Sequence, residues 1–469
     1  MPPDSGLRLV ELAPGASTGS ALDEVRHLTD LGNAERLVAD HGERLRFIPG
    51  LGWYTWDSRR WKRDRDGDVV RCMKETVRGL AAEAATVRDD TTRKQLLAHA
   101  LRSEGRTRIV HAIDLAESDS RIIASVDALD ADPWKLNVTN GTIALNVGEL
   151  LEHERGDLIT QLAPVTYSDD ATAPRWEHFL DEVFDGDGDL IAFVQRAVGY
   201  SLTGSTREQV LFVLYGSGAN GKTTFIEVMR ALLGDYGKQT PAETFLERRE
   251  TIPSDLARLR SVRFVAAVET GEGRRLNETL VKRLTGGDSI AARFMYGSWF
   301  EFRPAFKAWL ATNHKPYVRG TDEAIWRRLR LIPFTRTIPD DTRDPDLGWK
   351  LRRELPGILR WAVEGCLDWL DQGLHPPSTV STATAAYRQE MDVLGGFLDE
   401  CCVINPDAMA TAADLYGRYL DWVEASGERD RLTKKAFGLR LAERDFEQHK
   451  DRTTRWWRGL GLLVESGKQ

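Results

Sequence analysis

The segment LFVLYGSGANGKTTFIEVMR, residues 211–230, joins an apolar run to a glycine-rich turn and then to a helical pattern. Residues 216–223 match GxxxxGK[ST], the motif of a P-loop between a strand and a helix. VLFVLY (210–215) predicts a buried strand, and the apolar residues three and four apart after the turn predict a helix ending at Gly234. We therefore expect an α/β nucleotide-binding domain around this segment.

The motif predicts a phosphate site made by the backbone and two side chains. Its glycines let successive N–H groups point at phosphates, above the positive end of the helix. Lys222 is expected to reach the β- and γ-phosphates and the Thr223 hydroxyl to ligate Mg²⁺, so ATP and Mg²⁺ are the predicted cofactors. The predicted nucleotide-binding residues are Gly216, Ser217, Gly218, Ala219, Asn220, Gly221, Lys222, Thr223 and Thr224.

A carboxylate is expected beside the P-loop. SVRFVAAVETGEG (261–273) is an apolar strand closed by Glu269, with Glu272 three residues later. A carboxylate at the carboxyl end of such a strand can hold the Mg²⁺ shell and polarise the attacking water. Glu269 is the first candidate for both the catalytic and the metal role, and Glu272 could share or take it.

Two later strands predict further catalytic side chains. AFKAWLATN ends at Asn313, whose amide can hydrogen-bond the γ-phosphate or the attacking water. In WRRLRLIPF (326–334) an arginine can stabilise transition-state charge, on a neighbouring subunit's nucleotide. Arg327 and Arg328 are the first candidates and Arg330 the next. Arginines on the solvated face of an edge strand are the alternative interpretation.

Length and composition bound the class of protein. With 469 residues, two to four domains are expected, and 41% apolar and 29% charged residues are typical of globular proteins. No apolar run is long enough to cross a bilayer and no signal peptide is recognised, so a cytoplasmic location is expected. The net charge of −8 argues against coating nucleic acid, but permits gripping a strand inside a channel.

The remainder of the chain has helical and short-strand patterns. Aromatic residues in RFIPGLGWYTW (46–56) predict short strands, residues 71–125 read as helices, and Asn140-Gly141 predicts a hairpin. HPPSTVSTATAA (375–386) indicates a linker. The cysteines lack the spacing of a zinc site and are expected to be buried thiols. They are Cys72, Cys366, Cys401 and Cys402.

The order and spacing of five motifs resemble superfamily 3 helicases. The P-loop is followed by ETGEG, VKRLTGGDSIAARFMYG, ATNHKP and GTDEAIWRRLRLIPF. The most similar group is the phage and plasmid primase-helicases, to which the poxvirus primase-helicase is related. LTDLGNAERLVADHGERLRFIPGLGWYTWDSRRW (28–61) resembles the region that precedes the helicase in this group.

The resemblance implies an α/β fold with an AAA+-like P-loop ATPase core, an N-terminal mostly helical domain and a C-terminal winged helix. It also implies a homo-oligomeric ring, a hexamer, that hydrolyses ATP between subunits and moves 3′ to 5′ on single-stranded or forked DNA. The predicted domains are a tail (1–20), an N-terminal domain (21–170), the ATPase core (171–380) and the winged helix (381–469).

A hairpin is predicted in GGDSIAARFMYGSWFEFRPAF, where this family projects a hairpin into its pore. Lys282, Arg293, Tyr296 and Trp299 are the candidates for phosphate contact and base stacking on DNA. A hairpin packed on its own subunit is the alternative. The basic segment LTKKAFGLRLAERDF (432–446) is predicted to be a helix before a two-stranded wing. Binding of duplex or origin DNA, a solvated basic face and a subunit contact stay open for it.

These patterns favour an ATP-dependent helicase acting in replication of a phage, prophage or plasmid, in the cytoplasm of the bacterial host. Residues 1–160 read as the helicase's own N-terminal region rather than as a primase-polymerase, so a separate primase or polymerase is an expected partner. An ATP-regulated origin-binding initiator, and a mobile-element or defence ATPase without processive unwinding, are the alternatives.

Overall fold

A computed structural model of the chain describes residues 27–247, 256–268, 274–293, 299–318, 323–426 and 431–463. Its contacts divide the chain into two units. Among the described residues, one unit comprises 27–55 together with Lys62–Val126, and the other comprises Trp56–Trp61 together with those from Asp127 onward. The domain boundaries predicted at residues 170 and 380 stay predictions.

The first unit combines helices with a small sheet. The elements that lie wholly or mostly in it are α1 (Asp30–His41), β1 (Leu45–Ile48), β2 (Gly52–Trp56), β3 (Trp61–Arg63), α2 (Asp68–Thr86), α3 (Asp90–Ser103) and α4 (Arg106–Ala116). The helices α1, α2 and α4 share a core that includes Leu37, Met73 and Ile113, and α3 packs on α2 through Leu96 and Ala100. β1 and β2 pair antiparallel, with Phe47 opposite Trp53 and their ring centroids 5.3 Å apart. The aromatic residues thus lie on short strands, as the sequence predicted.

The second unit contains the P-loop. It begins with β4 (Lys135–Val138), β5 (Gly141–Ala144), β6 (Glu149–Leu151), α5 (Pro174–Phe184), α6 (Gly188–Leu202), β7 (Leu211–Tyr215), α7 (Lys222–Leu233), β8 (Gly237–Pro241) and β9 (Phe264–Val268). It continues with α8 (Glu278–Gly286), β10 (Ile290–Arg293), β11 (Trp299–Phe302), β12 (Lys307–Thr312), α9 (Glu323–Trp326), β13 (Leu329–Pro333), α10 (Leu347–Arg353), α11 (Leu355–Gln372) and α12 (Ser378–Glu390). β4 and β5 form the hairpin predicted at Asn140-Gly141.

A five-stranded parallel sheet organises this unit. Its strand order is β13-β7-β12-β9-β8, so the strand before the P-loop lies between β13 and β12. Tyr215 at the end of β7 pairs with Thr312 on one side and Pro333 on the other. Because the strands are parallel, the carboxyl ends of β7, β9, β12 and β13 lie at the same edge of the sheet.

Both faces of this sheet are covered, which explains why β7 is a continuous apolar run. Phe212 and Leu214 belong to a core shared with α5, α6, α7 and α11. Leu211 and Val213 face a second core, to which α8 and α12 contribute. The alternation of side chains along a strand therefore divides β7 between the two cores.

Two buried cations secure the opposite edge of the sheet. Lys307, the first residue of β12, donates to the backbone oxygens of Thr203, Ser205 and Ala305, and burial lowers its pKa well below the ordinary value. Arg263, directly before β9, donates to the backbone oxygens of three residues and lies over the ring of Tyr236. The carbonyl oxygens solvate these charges in place of water.

The linker predicted at residues 375–386 was wrong from Ser378 onward. Residues Ser378–Glu390 form α12, which packs against the edge strand β13. Val380 and Tyr387 are buried, and the Thr384 hydroxyl accepts from the Leu331 N–H over 3.1 Å. Tertiary packing therefore overrides the weak helix propensity of its serines and threonines.

The C-terminal part of the described chain, from Val393 to Leu462, has a hydrophobic core of its own. This segment consists of α13 (Val393–Cys401), β14 (Cys402–Thr411), α14 (Ala412–Ser426), α15 (Lys434–Ala442), β15 (Glu447–Lys450) and β16 (Arg455–Leu462). The strands form a sheet of order β14-β16-β15, and Phe397, Tyr419 and Trp457 are buried together. A helix followed by two paired strands occurs where the sequence predicted it.

The four cysteines are buried free thiols. Within the ranges given above, no helix has the length and apolar character needed to cross a membrane.

Candidate nucleotide site

The P-loop is held in a conformation that ordinary residues adopt rarely. Gly218, Ala219 and Gly221 have φ angles of 111°, 50° and 87°. Ala219 is fixed there because its carbonyl accepts from the Ile338 N–H over 2.8 Å. Gly221 precedes α7, and no side chain caps this helix end. The first N–H groups of α7 are therefore free of side-chain caps and suited to an anion.

Lys222 lies on the floor of this loop. Its side chain is 6% exposed, and Nζ donates to the backbone oxygen of Gly216 over 2.6 Å and to Oδ1 of Asn220 over 2.9 Å. Both acceptors are uncharged, and burial lowers the pKa of Lys222 to about 8. A buried ammonium with neutral partners is poised to bind an anion, because phosphate oxygens would compensate its desolvation.

A cavity of about 930 Å³ opens above the P-loop, within the size range of ligand pockets. It is lined by residues 218–224 of the loop and of α7, and by Asn313 at the end of β12. Of the predicted nucleotide-binding residues, 218–224 thus meet Asn313 in one cavity, as expected for loops at one edge of a parallel sheet, whereas Gly216 and Ser217 do not line it. Thr223 is exposed in this cavity.

Two further segments line the cavity, and the sequence analysis missed both. Arg175, Phe179 and Glu182 come from α5, while Ile338 and residues between 340 and 348 follow β13. No motif could have revealed them, because neither segment has a recognisable spacing to the P-loop. Ile338 is half-buried and gives the cavity apolar surface, whereas the Phe179 side chain is fully buried, and the P-loop provides a surface for phosphates.

Acid–base pairs surround this cavity. Arg175 Nη1 lies 3.2 Å from Glu182 Oε2, and Arg343 Nη1 lies 2.7 Å from Asp340 Oδ1. The hydrogen bond from Lys350 lowers the pKa of Asp344. The two cavity-lining arginines thus already have acidic partners, unlike Lys222, whose acceptors are neutral.

The carboxylates and one hairpin residue predicted for function lie outside the described residues. Glu269 and Glu272 follow β9, whose last residue is Val268, and Tyr296 lies between β10 and β11. In the parts of the chain that the structure describes, no three His, Cys, Asp or Glu side chains are grouped to hold a metal. The Mg²⁺ role predicted for Glu269 stays a prediction.

The predicted arginines have different environments, and none lines the cavity over the P-loop. Arg328 is 8% exposed and donates to Gln209, Thr285 and the Ala324 carbonyl. Arg327 and Arg330 line a separate cavity of about 230 Å³ with Arg388. Arg330 donates to the backbone oxygens of Arg327 and Leu329, and burial lowers its pKa.

The predicted DNA-contacting hairpin has its two strands. β10 and β11 pair antiparallel with Arg293 opposite Trp299, and the guanidinium carbon of Arg293 lies 5.0 Å from the Trp299 ring centre. The Trp299 side chain is 58% exposed. Lys282 is half-buried on α8. An exposed ring beneath a cation provides a stacking surface next to a positive charge.

Comparison with known families gives two matches in different parts of the chain. Residues 34–185 match the family model described as D5 N terminal like. Residues 214–328, which include the P-loop lysine and Asn313, match a family of unknown function, DUF5906.

Viral proteins are among the curated relatives. The chain is 27% identical over 327 residues to "Putative helicase L207/L206" of Acanthamoeba polyphaga mimivirus, which covers 64% of the chain and 34% of the relative. It is 30% identical over 270 residues to "Putative helicase 022R" of Frog virus 3, covering 53% and 28%. It is 22% identical over 342 residues to "Putative primase C962R" of African swine fever virus (strain Badajoz 1971 Vero-adapted), covering 64% and 34%. The chain thus matches about a third of the length of these relatives.

Among solved structures, the apo form of the NrS-1 C-terminal region (305–718) overlaps 92% of this chain and 100% of its own, with a TM-score of 0.49 and 8% identity. Another apo structure of this region overlaps 77% of the chain and 90% of its own, with a TM-score of 0.42 and 10% identity. By sequence, the chain is therefore similar in its N-terminal part to the D5 N terminal like family, and over longer stretches to viral proteins named putative helicase or putative primase.

Proposed function

We propose that the chain binds ATP with Mg²⁺ in the cavity above the P-loop and hydrolyses it. The buried Lys222, with two neutral acceptors on the floor of a 930 Å³ cavity, is the observation that carries the proposal. The phosphates would lie on residues 216–224, and the base on the side of the half-buried Ile338. Mg²⁺ supplies charge neutralisation of the phosphates, with the Thr223 hydroxyl and Glu269 as its candidate ligands.

In this proposal, water attacks the γ-phosphorus, the bond from phosphorus to the oxygen of ADP breaks, and a carboxylate receives the proton from water. Glu269, or Glu272 in its place, is the proposed carboxylate. Asn313 would orient the water or contact the γ-phosphate, and its place in the P-loop cavity supports this role. Arg327, Arg328 or Arg330 would act on the nucleotide of a neighbouring subunit.

We further propose that hydrolysis drives a helicase or translocase, a hexameric ring moving 3′ to 5′ on single-stranded DNA during replication of a phage, prophage or plasmid. The names of the viral relatives support a role in replication. Lys282, Arg293, Tyr296 and Trp299 are the proposed DNA contacts. The exposed Trp299 ring beneath Arg293 supports base stacking.

The architecture supports finer proposals. A parallel sheet with the P-loop strand between two others is compatible with an AAA+-like ATPase core. The order α13, β14, α14, α15, β15, β16, with exposed Lys434 and Lys435 on α15, supports a winged helix that contacts DNA. Residues 21–170 would form the N-terminal domain. The protein would act in the host cytoplasm, together with a separate primase or polymerase.

The test compares ATP hydrolysis with and without single-stranded DNA, followed by displacement of a strand from forks with only a 3′ or only a 5′ tail. We expect DNA to stimulate hydrolysis and only the 3′-tailed fork to be unwound. Lys222→Ala should abolish both activities. ATP hydrolysis that DNA does not change, without strand displacement, would contradict the helicase and favour an origin-binding initiator or another mobile-element ATPase.

A further inference from the structure

The side chain of Asn220 forms a buried bridge inside the P-loop. It is 3% exposed, and its amide nitrogen donates to the backbone oxygen of Phe334 over 2.8 Å. Its amide oxygen accepts from Nζ of Lys222 over 2.9 Å. The bridge therefore joins the catalytic lysine to the residue that directly follows β13.

Residues next to this bridge leave room for it and hold its acceptor in place. A Cβ atom at position 216 would lie 2.2 Å from the Asn220 nitrogen and 2.1 Å from the Phe334 oxygen, so only glycine fits there. The Phe334 N–H donates to the Tyr215 oxygen over 2.7 Å, which fixes the acceptor of the bridge at the end of β7. The amide of Asn220 is thus held from both sides.

We propose that Asn220 is a positioning residue for Lys222: its amide, anchored on the Phe334 carbonyl, holds the lysine amine at the place where phosphate oxygens bind. This inference rests on the proposed binding of ATP. A lysine side chain is flexible, so an anchored acceptor reduces the entropy lost when the amine meets phosphate.

The two acceptors of Lys222 would behave differently when a triphosphate binds. Asn220 is a side chain whose nitrogen is engaged elsewhere, so its oxygen stays directed at the amine. The Gly216 oxygen belongs to the loop backbone, and phosphate oxygens can replace it around the ammonium. Asn220 would then remain as the one protein partner that aligns Lys222 with the β- and γ-phosphates.

A double-mutant cycle distinguishes positioning of Lys222 from mere support of the loop. ATP affinity is measured without DNA for the wild type, Asn220→Ala, Lys222→Met and the double variant. If Asn220 acts through Lys222, Asn220→Ala should weaken ATP binding about tenfold or more when Lys222 is present. In the Lys222→Met background, the same substitution should change ATP affinity by less than about twofold. Fold changes that multiply in the double variant would overturn the inference.

Thr342→Ala is the matched control for this cycle. Thr342 lines the same cavity, but its hydroxyl donates to the Pro339 oxygen and has no bond to Lys222. Any fold change in ATP affinity caused by Thr342→Ala should therefore be the same in the wild type and in Lys222→Met, so that the two fold changes multiply in the double variant. Thermal unfolding without nucleotide shows whether each variant is folded.

Asn220→Asp provides a second measurement if the alanine variant does not fold. A carboxylate loses the donor to the Phe334 carbonyl but keeps an acceptor for Lys222 and raises the pKa of its amine, so ATP binding should persist to higher pH than in the wild type. The other charged side chains lining the cavity are the same in both proteins, namely Arg175, Glu182, Glu227, Asp340, Arg343 and Asp344. A pH profile identical to that of the wild type would overturn the inference.

The outcomes separate this inference from the proposed function. A wild type that does not bind ATP would remove the proposed nucleotide site itself. A wild type that binds ATP, with independent effects at positions 220 and 222, would remove only the role of Asn220.

Discussion

Arg328 Nη2 donates to the side-chain oxygen of Gln209 over 3.1 Å. The same guanidinium donates to the Thr285 hydroxyl over 3.2 Å and to the Ala324 carbonyl over 2.6 Å. Arg327, its neighbour in sequence, has an exposed side chain at a separate cavity. Arg328 is thus engaged within its own chain, while the side chain of Arg327 is exposed.

This difference predicts separable effects of two substitutions. Arg328→Ala should lower the free energy of unfolding by about 2 kcal/mol or more, because it leaves buried polar partners without a donor. Arg327→Ala should change it by less than about 0.5 kcal/mol, because the side chain is exposed. Urea unfolding of both variants measures these values.

Activity of the same variants tests the catalytic assignment. If Arg327 acts on a neighbouring subunit, Arg327→Ala should still assemble and bind ATP but hydrolyse it slowly. Adding Lys222→Ala subunits, which retain Arg327, should then restore part of the hydrolysis at mixed interfaces. Normal hydrolysis by Arg327→Ala would exclude this residue, and normal assembly, binding and hydrolysis by Arg328→Ala would exclude the other.

Gly216→Ala should disrupt the P-loop. The added Cβ would meet the Phe334 oxygen at 2.1 Å, and this backbone contact cannot yield without breaking the Asn220 bridge. We expect a loss of about 1–3 kcal/mol in the free energy of unfolding, together with weaker ATP binding.

Gly348→Ala is the matched control, since Gly348 also lines the cavity but has nothing within 4 Å of the added Cβ. Calorimetric unfolding and ATP titration compare the two variants. Equal stability of both would show that the contact at position 216 relaxes easily.

ATP affinity should fall as the pH rises above about 8. Burial lowers the pKa of Lys222 from 10.5 to about 8, so the free protein loses this charge around pH 8, whereas bound phosphate keeps the charged form to higher pH. Binding should therefore take up a proton in this window. Calorimetric titrations from pH 7 to 10, in buffers of different ionisation enthalpy, measure both effects.

Lys222→Arg is the control for this pH dependence, because a guanidinium keeps its charge throughout the range. Its ATP affinity, although weaker, should be independent of pH between 8 and 10. If ATP affinity decreased with pH equally in the wild type and in Lys222→Arg, the pH dependence would have to come from a group other than Lys222.

Trp299→Ala should weaken binding of single-stranded DNA and slow strand displacement, while hydrolysis of ATP without DNA stays unchanged. Its ring is 58% exposed and lies beneath Arg293, and the loss of one stacked base costs about 1–3 kcal/mol. Fluorescence anisotropy with labelled single strands measures the affinity.

Trp349→Ala is a closely matched control. Trp349 is 60% exposed, and the guanidinium of Arg353 lies 4.9 Å from its ring centre, but it lies on α10 beside the nucleotide cavity. We expect normal DNA affinity for this variant. Equal losses in both variants would argue that exposed aromatic surface in general, rather than the hairpin, binds the strand.

Local pattern alone predicted several parts of the molecule. The strand, loop and helix from Leu211 to Leu233 follow the apolar run, the glycines and the helical spacing of the sequence. The hairpin strands on either side of residues 294–298 and the helix Lys434–Ala442 were also predicted. These elements are encoded by residues close together in the chain, so their periodicity is sufficient to identify them.

Tertiary structure decided which side chains meet. The segments around Phe179 and Ile338 line the P-loop cavity only because the fold brings them there. Asn220 donates a hydrogen bond to Phe334, 114 residues away, and Arg328 donates one to Gln209. Tertiary structure also made residues 378–390 a helix where composition indicated a linker. Such contacts depend on the order of strands in the sheet and on burial against distant residues, neither of which leaves a periodic signal in the sequence.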